Sequence, residues 1–242
     1  MEAPRTAQES SRRSAEATVA FGALAGCLTL AIVVVWVAAR TGDVVPAARR
    51  GGAKPILVTG FRAFNGEENP SSVCARRLNG TRAPSGRLIY STLLSVDGRG
   101  AGVAAARLDA YAAVVHLGLE DATTDLRVEV AAHNIRGGDA TGTCATRPVV
   151  ADGPCALATT APLGRVALRG DEHWSTSAGT FFCNEAYYRT LAAARGRRGA
   201  RGAFVPVAFV HLPNETTRAV DSYLPRLADV VHALAGADRA LR

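Results

Sequence analysis

The chain has 242 residues, a formal net charge of +7, 48% apolar residues and 20% charged ones. That length suits one sizeable α/β domain or two small ones. The positive charge is arginine scattered along the chain, with one cluster at Arg195, Arg197, Arg198 and Arg201 among glycines; no aromatic residues interleave with it for base stacking, so it reads as a solvated loop and no nucleic-acid partner is expected.

Residues 1–16 form a polar tail of mixed charge, and residues 40–53 a linker rich in Gly, Ala and Arg. Between them, Ala17 to Ala39 is a run of 23 residues without a charge, long enough as a helix to cross a hydrocarbon core. The competing reading is a cleavable signal peptide, whose apolar region normally spans about 7–15 residues. We therefore expect a single transmembrane helix or signal anchor at 17–39, with Trp36 at its interface. Arg5, Arg12 and Arg13 before the span nearly balance Arg40, Arg49, Arg50 and Lys54 after it. A single span this close to the N-terminus commonly leaves the larger part outside the cytosol, so the expectation is a single-pass membrane protein with an extracytoplasmic or lumenal domain, the cytosolic face being the alternative.

The five cysteines are Cys27, Cys74, Cys144, Cys155 and Cys183. Cys144 and Cys155 flank a polar loop and could pair in an oxidising compartment. No metal-ligand pair at short spacing occurs among the cysteines, and neither a metal nor a cofactor is expected. Two sequons, Asn79-Gly80-Thr81 and Asn214-Glu215-Thr216, would be glycosylation acceptors in a secretory lumen.

The folded domain covers 54–242. Ile56 to Thr59, closed by Gly60, reads as a buried strand. A loop through Asn69-Pro70 leads to Ser71-Ser72, a capping signal for a helix through about Leu78. Leu88 to Val96 is a second strand. The glycine run 98–102 lacks the register of a phosphate-binding loop, and a short helix follows from Val103 to Leu108. Ala112 to Leu117 is a third strand. Leu126 to Val130 alternates, placing Arg127 and Glu129 on one face and Leu126, Val128 and Val130 on the other. A loop of about twenty residues comes next, long enough to be functional, bridged or mobile. A helix is expected from about Ala156 to Arg169, interrupted by Pro162 and Gly164. The last strand ends at His211, with Pro206 outside the ladder. A helix from Ser222 as cap to Leu241 closes the chain, carrying Pro225 in its first turn and a stripe of Leu224, Leu227, Val231 and Leu234. Strands alternating with helices give an α/β fold, a three-layer α/β/α sandwich around a mostly parallel sheet, with its site at the C-terminal ends of the strands.

Within this frame, Ser177 to Asn184 reads SAGTFFCN and runs into a helix-forming segment, which places Cys183 at a helix start. Unpaired N–H groups and a partial positive charge there favour thiolate over thiol. The alternative is a buried cysteine packing as a small hydrophobe. Cys183, His211 and Glu129 supply a nucleophile, a base and an acceptor that orients the base, although a strand Glu and a strand-end His are also common as structural residues.

Five blocks occur in order: Val58 to Gly66 with Asn69-Pro70; Gly118-Leu119, Val128-Glu129 and Ala132-His133-Asn134; Asp152-Gly153-Pro154; Ser177 to Asn184; and Phe209 to Pro213. Together they resemble the pyroglutamyl peptidase I family, cysteine peptidases that remove an N-terminal pyroglutamate from peptides. The resemblance runs from about Ile56 to the last helix. It implies Cys183 as nucleophile, His211 as general base, Glu129 as the acid that orients it, and Phe61, Phe64 and Phe182 as substrate-binding residues around the neutral lactam ring. For Phe61 and Phe64, ordinary core packing is the alternative. Homo-oligomers also go with the resemblance. The chain departs from the family's pattern in a shortened helix after Asp152-Gly153-Pro154, in Leu119 where some members carry glutamine, in Ala122-Thr123 at the usual Gly-Arg positions, and in its apolar N-terminal run. Two other functions fit these departures: a membrane-anchored binding protein without efficient catalysis, and a thiol amidohydrolase of altered specificity.

Overall fold

The computed structural model describes residues 53–64, 66–137, 147–197, 203–214, 216 and 218–236. The tail, the apolar run 17–39, almost all of the linker, Cys27, Cys144, Arg198, Arg201 and the expected end of the last helix lie outside them. Among the described residues no helix is long and apolar enough to cross a membrane.

Six strands form the main sheet in the order β2-β1-β3-β8-β4-β7. Its second strand, β1 (Ile56–Phe61), is buried along its whole length because both faces are covered by helices. It pairs in parallel with β2 (Ile89–Leu94) and β3 (Ala113–Leu119). β8 (Val207–Leu212) continues the parallel set beside β3, and Pro206 lies just outside it. β4 (Arg127–Glu129) then runs antiparallel to β8 and parallel to the short edge strand β7 (His173–Ser175). The sheet is thus mostly parallel, with one reversal beside β8.

α1 (Pro70–Leu78) and α4 (Val220–Leu234) cover one face, with Leu78, Tyr223, Leu227, Val231 and Leu234 packed on Val58, Val115, Leu126, Val128 and Val210. α2 (Gly98–Ala106) and α3 (Phe182–Arg195) pack together on the other. α3 buries Asn184, Tyr187, Tyr188, Leu191 and Ala194, the spacing of one helical face.

Local chemistry sets the boundaries. Asn69, not Ser71, caps α1: its side chain accepts from the Ser71 amide, and Pro70 occupies the first turn, where a missing N–H costs nothing. Ser71 Oγ instead accepts from the Phe61 amide at 2.9 Å and fixes the end of β1. Gly60 is required there, since a Cβ would lie 2.1 Å from the Ser71 carbonyl oxygen. The glycine run belongs to α2, which starts at Gly98 because Asp97 accepts from the Gly100 amide at 2.7 Å. α4 begins at Val220 behind Ala219 rather than at a Ser222 cap. Pro225 is therefore its sixth residue, and the N–H it lacks falls on the carbonyl of Asp221 at the solvent-exposed start.

The expected helix over 156–169 does not form. Ala156–Ala158 is instead β6, paired antiparallel with β5 (Ala131–His133), and only a 3-10 turn survives at Leu163–Arg165. Pro162 and Gly164 deny the segment a continuous helix, while the Thr159 and Thr160 hydroxyls donate to the carbonyls of Val207 and Val205, at 2.7 Å each. The long connection between β5 and β6 is bridged: the Asn134 amide group donates to the Val150 and Gly153 carbonyls. Cys155 is disulfide-bonded, whereas Cys74 and Cys183 are free.

His116 ties the α3 face together. The Thr190 hydroxyl spends its hydrogen on the Ala186 carbonyl, so it must accept from His116 Nε2–H at 3.1 Å, leaving Nδ1 to accept from Thr59 at 2.7 Å. The imidazole is fully buried, stacked on Phe209, and burial pulls its pKa down to about 3. Unfolding releases it to an ordinary value near 6.5, so the unfolded state binds the extra proton between those limits and stability falls as the pH drops below about 6.5. Urea unfolding at pH 7 and pH 4.5 should show the wild type losing about 1.4 kcal/mol more per pH unit than His116→Gln across this window. Parallel losses in both proteins would remove His116 as the cause.

Candidate active site

Three neighbouring strands present one row of side chains towards the N-terminus of α3. Paired residues on adjacent strands share a face of the sheet. β3 contributes His116 and Gly118, which pair with Phe209 and His211 of β8. β4, running the other way, sets Glu129 beside Phe209 and Arg127 beside His211. The alternation of β4 holds, but its polar face is not solvated: Glu129 is fully buried and faces the site, while Leu126 and Val128 enter the core beneath α1 and α4.

Within the row, His211 Nδ1 meets Glu129 Oε1 at 2.7 Å. Arg127 Nε donates to the same oxygen at 2.9 Å, and its Nη2 donates to Glu120 Oε2 at 3.1 Å and to the Ser177 carbonyl at 3.3 Å. The Tyr187 hydroxyl donates to the backbone carbonyl of Glu129 at 3.0 Å. Glu129 Oε2 is buried, and among the described residues no group reaches it. Phe209 packs against His211 with ring centroids 4.6 Å apart.

Cys183 is the second residue of α3, in the turn whose amides have no intrahelical acceptor. Its sulfur lies over Gly118: a Cβ there would stand 2.9 Å from Sγ and 2.6 Å from Phe209 Cζ. Because Gly118 pairs with His211, the missing side chain opens the space in which the thiol sits beside the histidine strand. The next residue, Asn184, anchors this end of the helix, accepting from the His133 amide and donating to the His133 and Ile135 carbonyls, each at 2.8 Å.

The helix start does not by itself leave Cys183 ionised. Burial, reinforced by the charges of Glu120 and Glu129, pushes its pKa up to about 12, against the opposing pull of its own amide N–H and of Arg127. Part of the residue still reaches solvent. The expected preference for thiolate is overturned in the resting site because burial, with two carboxylates added to it, outweighs one helix terminus.

The structure therefore brings His211 and Glu129 into direct contact and sets Cys183 over the glycine paired with His211. The three phenylalanines are not equivalent. Phe61 ends β1 and is 2% exposed, Phe64 on the following loop is 56% exposed, and Phe182, the first residue of α3, is half-buried. Phe181 beside it is 63% exposed. Among the described residues no group of three or more His, Cys, Asp or Glu could hold a metal ion. Glu120, Tyr187 and the glycine at 118 escaped the sequence reading as site residues. Arg127 was legible as a polar partner of Glu129 on one strand face, but not as a ligand of two carboxylates.

A model of the pyroglutamyl peptidase family matches residues 54–237. The chain belongs to the pyroglutamyl peptidase family. This family member is 33% identical over 194 residues to the pyrrolidone-carboxylate peptidase of Chromobacterium violaceum, an alignment covering 75% of this chain and 89% of that protein. It is 33% identical over 171 residues to the one from Deinococcus radiodurans, covering 65% and 77%. Among solved structures, pyrrolidone carboxyl peptidase from Thermus thermophilus superposes with a TM-score of 0.55 at 31% identity, covering 74% of this chain and 98% of that one. Pyroglutamyl peptidase I from Bacillus amyloliquefaciens shares the fold, with a TM-score of 0.64 at 23% identity, covering 77% and 99%. These relatives are hydrolases, and so is the family into which this chain falls.

Gly118 carries a direct prediction. Gly118→Ala should cost about 1–3 kcal/mol by overpacking against Phe209 and should displace the sulfur. Urea melts and alkylation of Cys183 read the two effects. Unchanged stability together with unchanged alkylation would mean that the space over Gly118 is not what seats the thiol.

Proposed function

We propose that this protein hydrolyses the bond after an N-terminal pyroglutamyl residue of peptides, using Cys183, His211 and Glu129. The observation that carries the proposal is the His211–Glu129 contact on the strand paired with Gly118, with the Cys183 sulfur seated over that glycine. Family membership supplies the substrate class.

Because the resting thiol is protonated, attack is coupled to proton transfer. His211 takes the proton from Cys183 as Sγ bonds to the pyroglutamyl carbonyl carbon, and Glu129, accepting from Nδ1–H, stabilises the imidazolium that forms. Free amides at the start of α3 stabilise the oxyanion. Collapse of the tetrahedral intermediate breaks the C–N bond, and His211 passes its proton to the departing amine. Water, activated by neutral His211, then cleaves the thioester to release pyroglutamate and regenerate the thiol. Phe61, Phe64 and Phe182 line the lactam site in this reading, and the exposure of Phe64 leaves it free to close over a neutral ring.

Release of a fluorogenic amine from a pyroglutamyl amide by the full-length chain, with a prolyl amide as control, tests the proposal. Cys183→Ala should abolish turnover. Glu129→Gln should retain more than Cys183→Ala, because an orienting group forms no covalent bond. Turnover by Cys183→Ala at the wild-type rate would refute the mechanism. No turnover by folded, reduced wild type would instead assign the protein to the binding reading.

We further propose that residues 17–39 anchor the chain with its domain in an oxidising compartment. Their uncharged length supports the first part and the disulfide of Cys155 the second. Alkaline carbonate should leave the chain in the membrane pellet, and protease added to intact membranes of a secretory compartment should spare the domain. Its release by carbonate would count against the anchor.

A further inference from the structure

Arg127 takes no part in the bond-making steps above, yet it joins two carboxylates of the site to the loop before α3. It pairs with His211 across the β4–β8 ladder. Its guanidinium reaches Glu129 through Nε, and Glu120 and the Ser177 carbonyl through Nη2. Only 18% of the side chain is exposed, against 30% of Glu120 and none of Glu129.

We infer that Arg127 is a positioning residue of this site: it clamps both carboxylates nearest Cys183, Glu120 and Glu129, to the segment that delivers the nucleophile, and so sets the charge that the sulfur meets. The inference rests on the cysteine-peptidase reading, but its physical content is separable from turnover.

Three charged side chains act on the sulfur: Glu120, one residue beyond β3, and Glu129 and Arg127 on β4, while His211 of β8 meets Glu129. Glu120 and Glu129 both oppose a negative sulfur, and Arg127 is the fixed cation among them. An arginine suits this place because a planar fork can hold two carboxylates and a carbonyl at once, whereas a lysine ammonium is a point charge. The same fork occupies Glu129 Oε1, the oxygen that His211 Nδ1 also uses, so Arg127 limits how strongly Glu129 can stabilise an imidazolium. Its loss leaves both carboxylates acting on Cys183 undiminished, because a whole charge is removed from between two opposite ones, and this disfavours thiolate.

The test is the rate of Cys183 alkylation by iodoacetamide at pH 8 in the full-length protein, followed on the Cys183 peptide by mass spectrometry; with the thiol titrating far above that pH, the rate follows the thiolate fraction. In Arg127→Met, circular dichroism confirming the fold, the rate should fall several-fold, about tenfold for each unit by which the thiol pKa rises. Arg127→Lys should recover part of that loss, and adding Glu120→Gln to Arg127→Met should recover more of it by removing one opposing carboxylate, which a merely steric effect would not do. An unchanged or faster rate in folded Arg127→Met overturns the inference. If Arg127→Met does not fold, Arg127→Lys decides: losing the fork while keeping the charge, it should react more slowly than the wild type, and an unchanged rate overturns the inference just as well. Alkylation needs no pyroglutamyl substrate, so failure of the proposed activity leaves this measurement intact.

Discussion

A carboxylate without access to water is expensive unless other groups replace its hydration, and Glu129 is fully buried at the end of β4. Two donors, His211 Nδ1 and Arg127 Nε, meet on its Oε1. The reversed direction of β4 makes this possible. Running antiparallel to β8, it lays Glu129 and Arg127 beside Phe209 and His211 in one row. The face that would be solvated in an isolated strand becomes the floor of a site, roofed by α3.

The same arrangement opposes ionisation of Cys183. Negative charge that stabilises an imidazolium also destabilises a neighbouring thiolate, so a helix N-terminus cannot on its own generate a standing ion pair here. In the proposed mechanism, proton transfer is deferred until a carbonyl is present to accept the sulfur's electrons. Hydrogen bonds on the far side of the helix keep the sulfur in place meanwhile: Asn184 grips β5, and Tyr187 grips the backbone of Glu129.

Much of this was legible in the sequence. Continuous apolar runs marked β1, β3 and β8, and alternation marked β4 with the correct face assignment. Cysteine after a small, flexible segment marked the start of α3. The errors arose where tertiary contacts or a single side chain outweigh composition. An alanine-rich stretch at 156–158 joined β5 rather than a helix, because Pro162 closed the helical option and β5 offered a ladder. At α1, Asn69 took the cap that Ser71 seemed suited for, and freed Ser71 to hold β1. β7 is three residues of His, Trp and Ser, too short and too polar to signal a strand. The elevated pKa of Cys183 was invisible because it depends first on burial and then on Glu120 and Glu129, 63 and 54 residues earlier in the chain, all of them products of the tertiary fold.

The position of β8 in the sheet has a consequence for biosynthesis. It lies between β3 and β4, which precede it by more than 75 residues, so both flanking strands leave the ribosome without the partner that joins them. Until residues 207–212 insert, the sheet has two unclosed edges and His211 has no acid to meet. Such a long-range insertion forms late in folding, after the local helices and hairpins. A nascent or truncated chain ending before β8 therefore lacks His211 and the strand that pairs with both Gly118 and Arg127, so the row of side chains beneath α3 is assembled only in the finished protein.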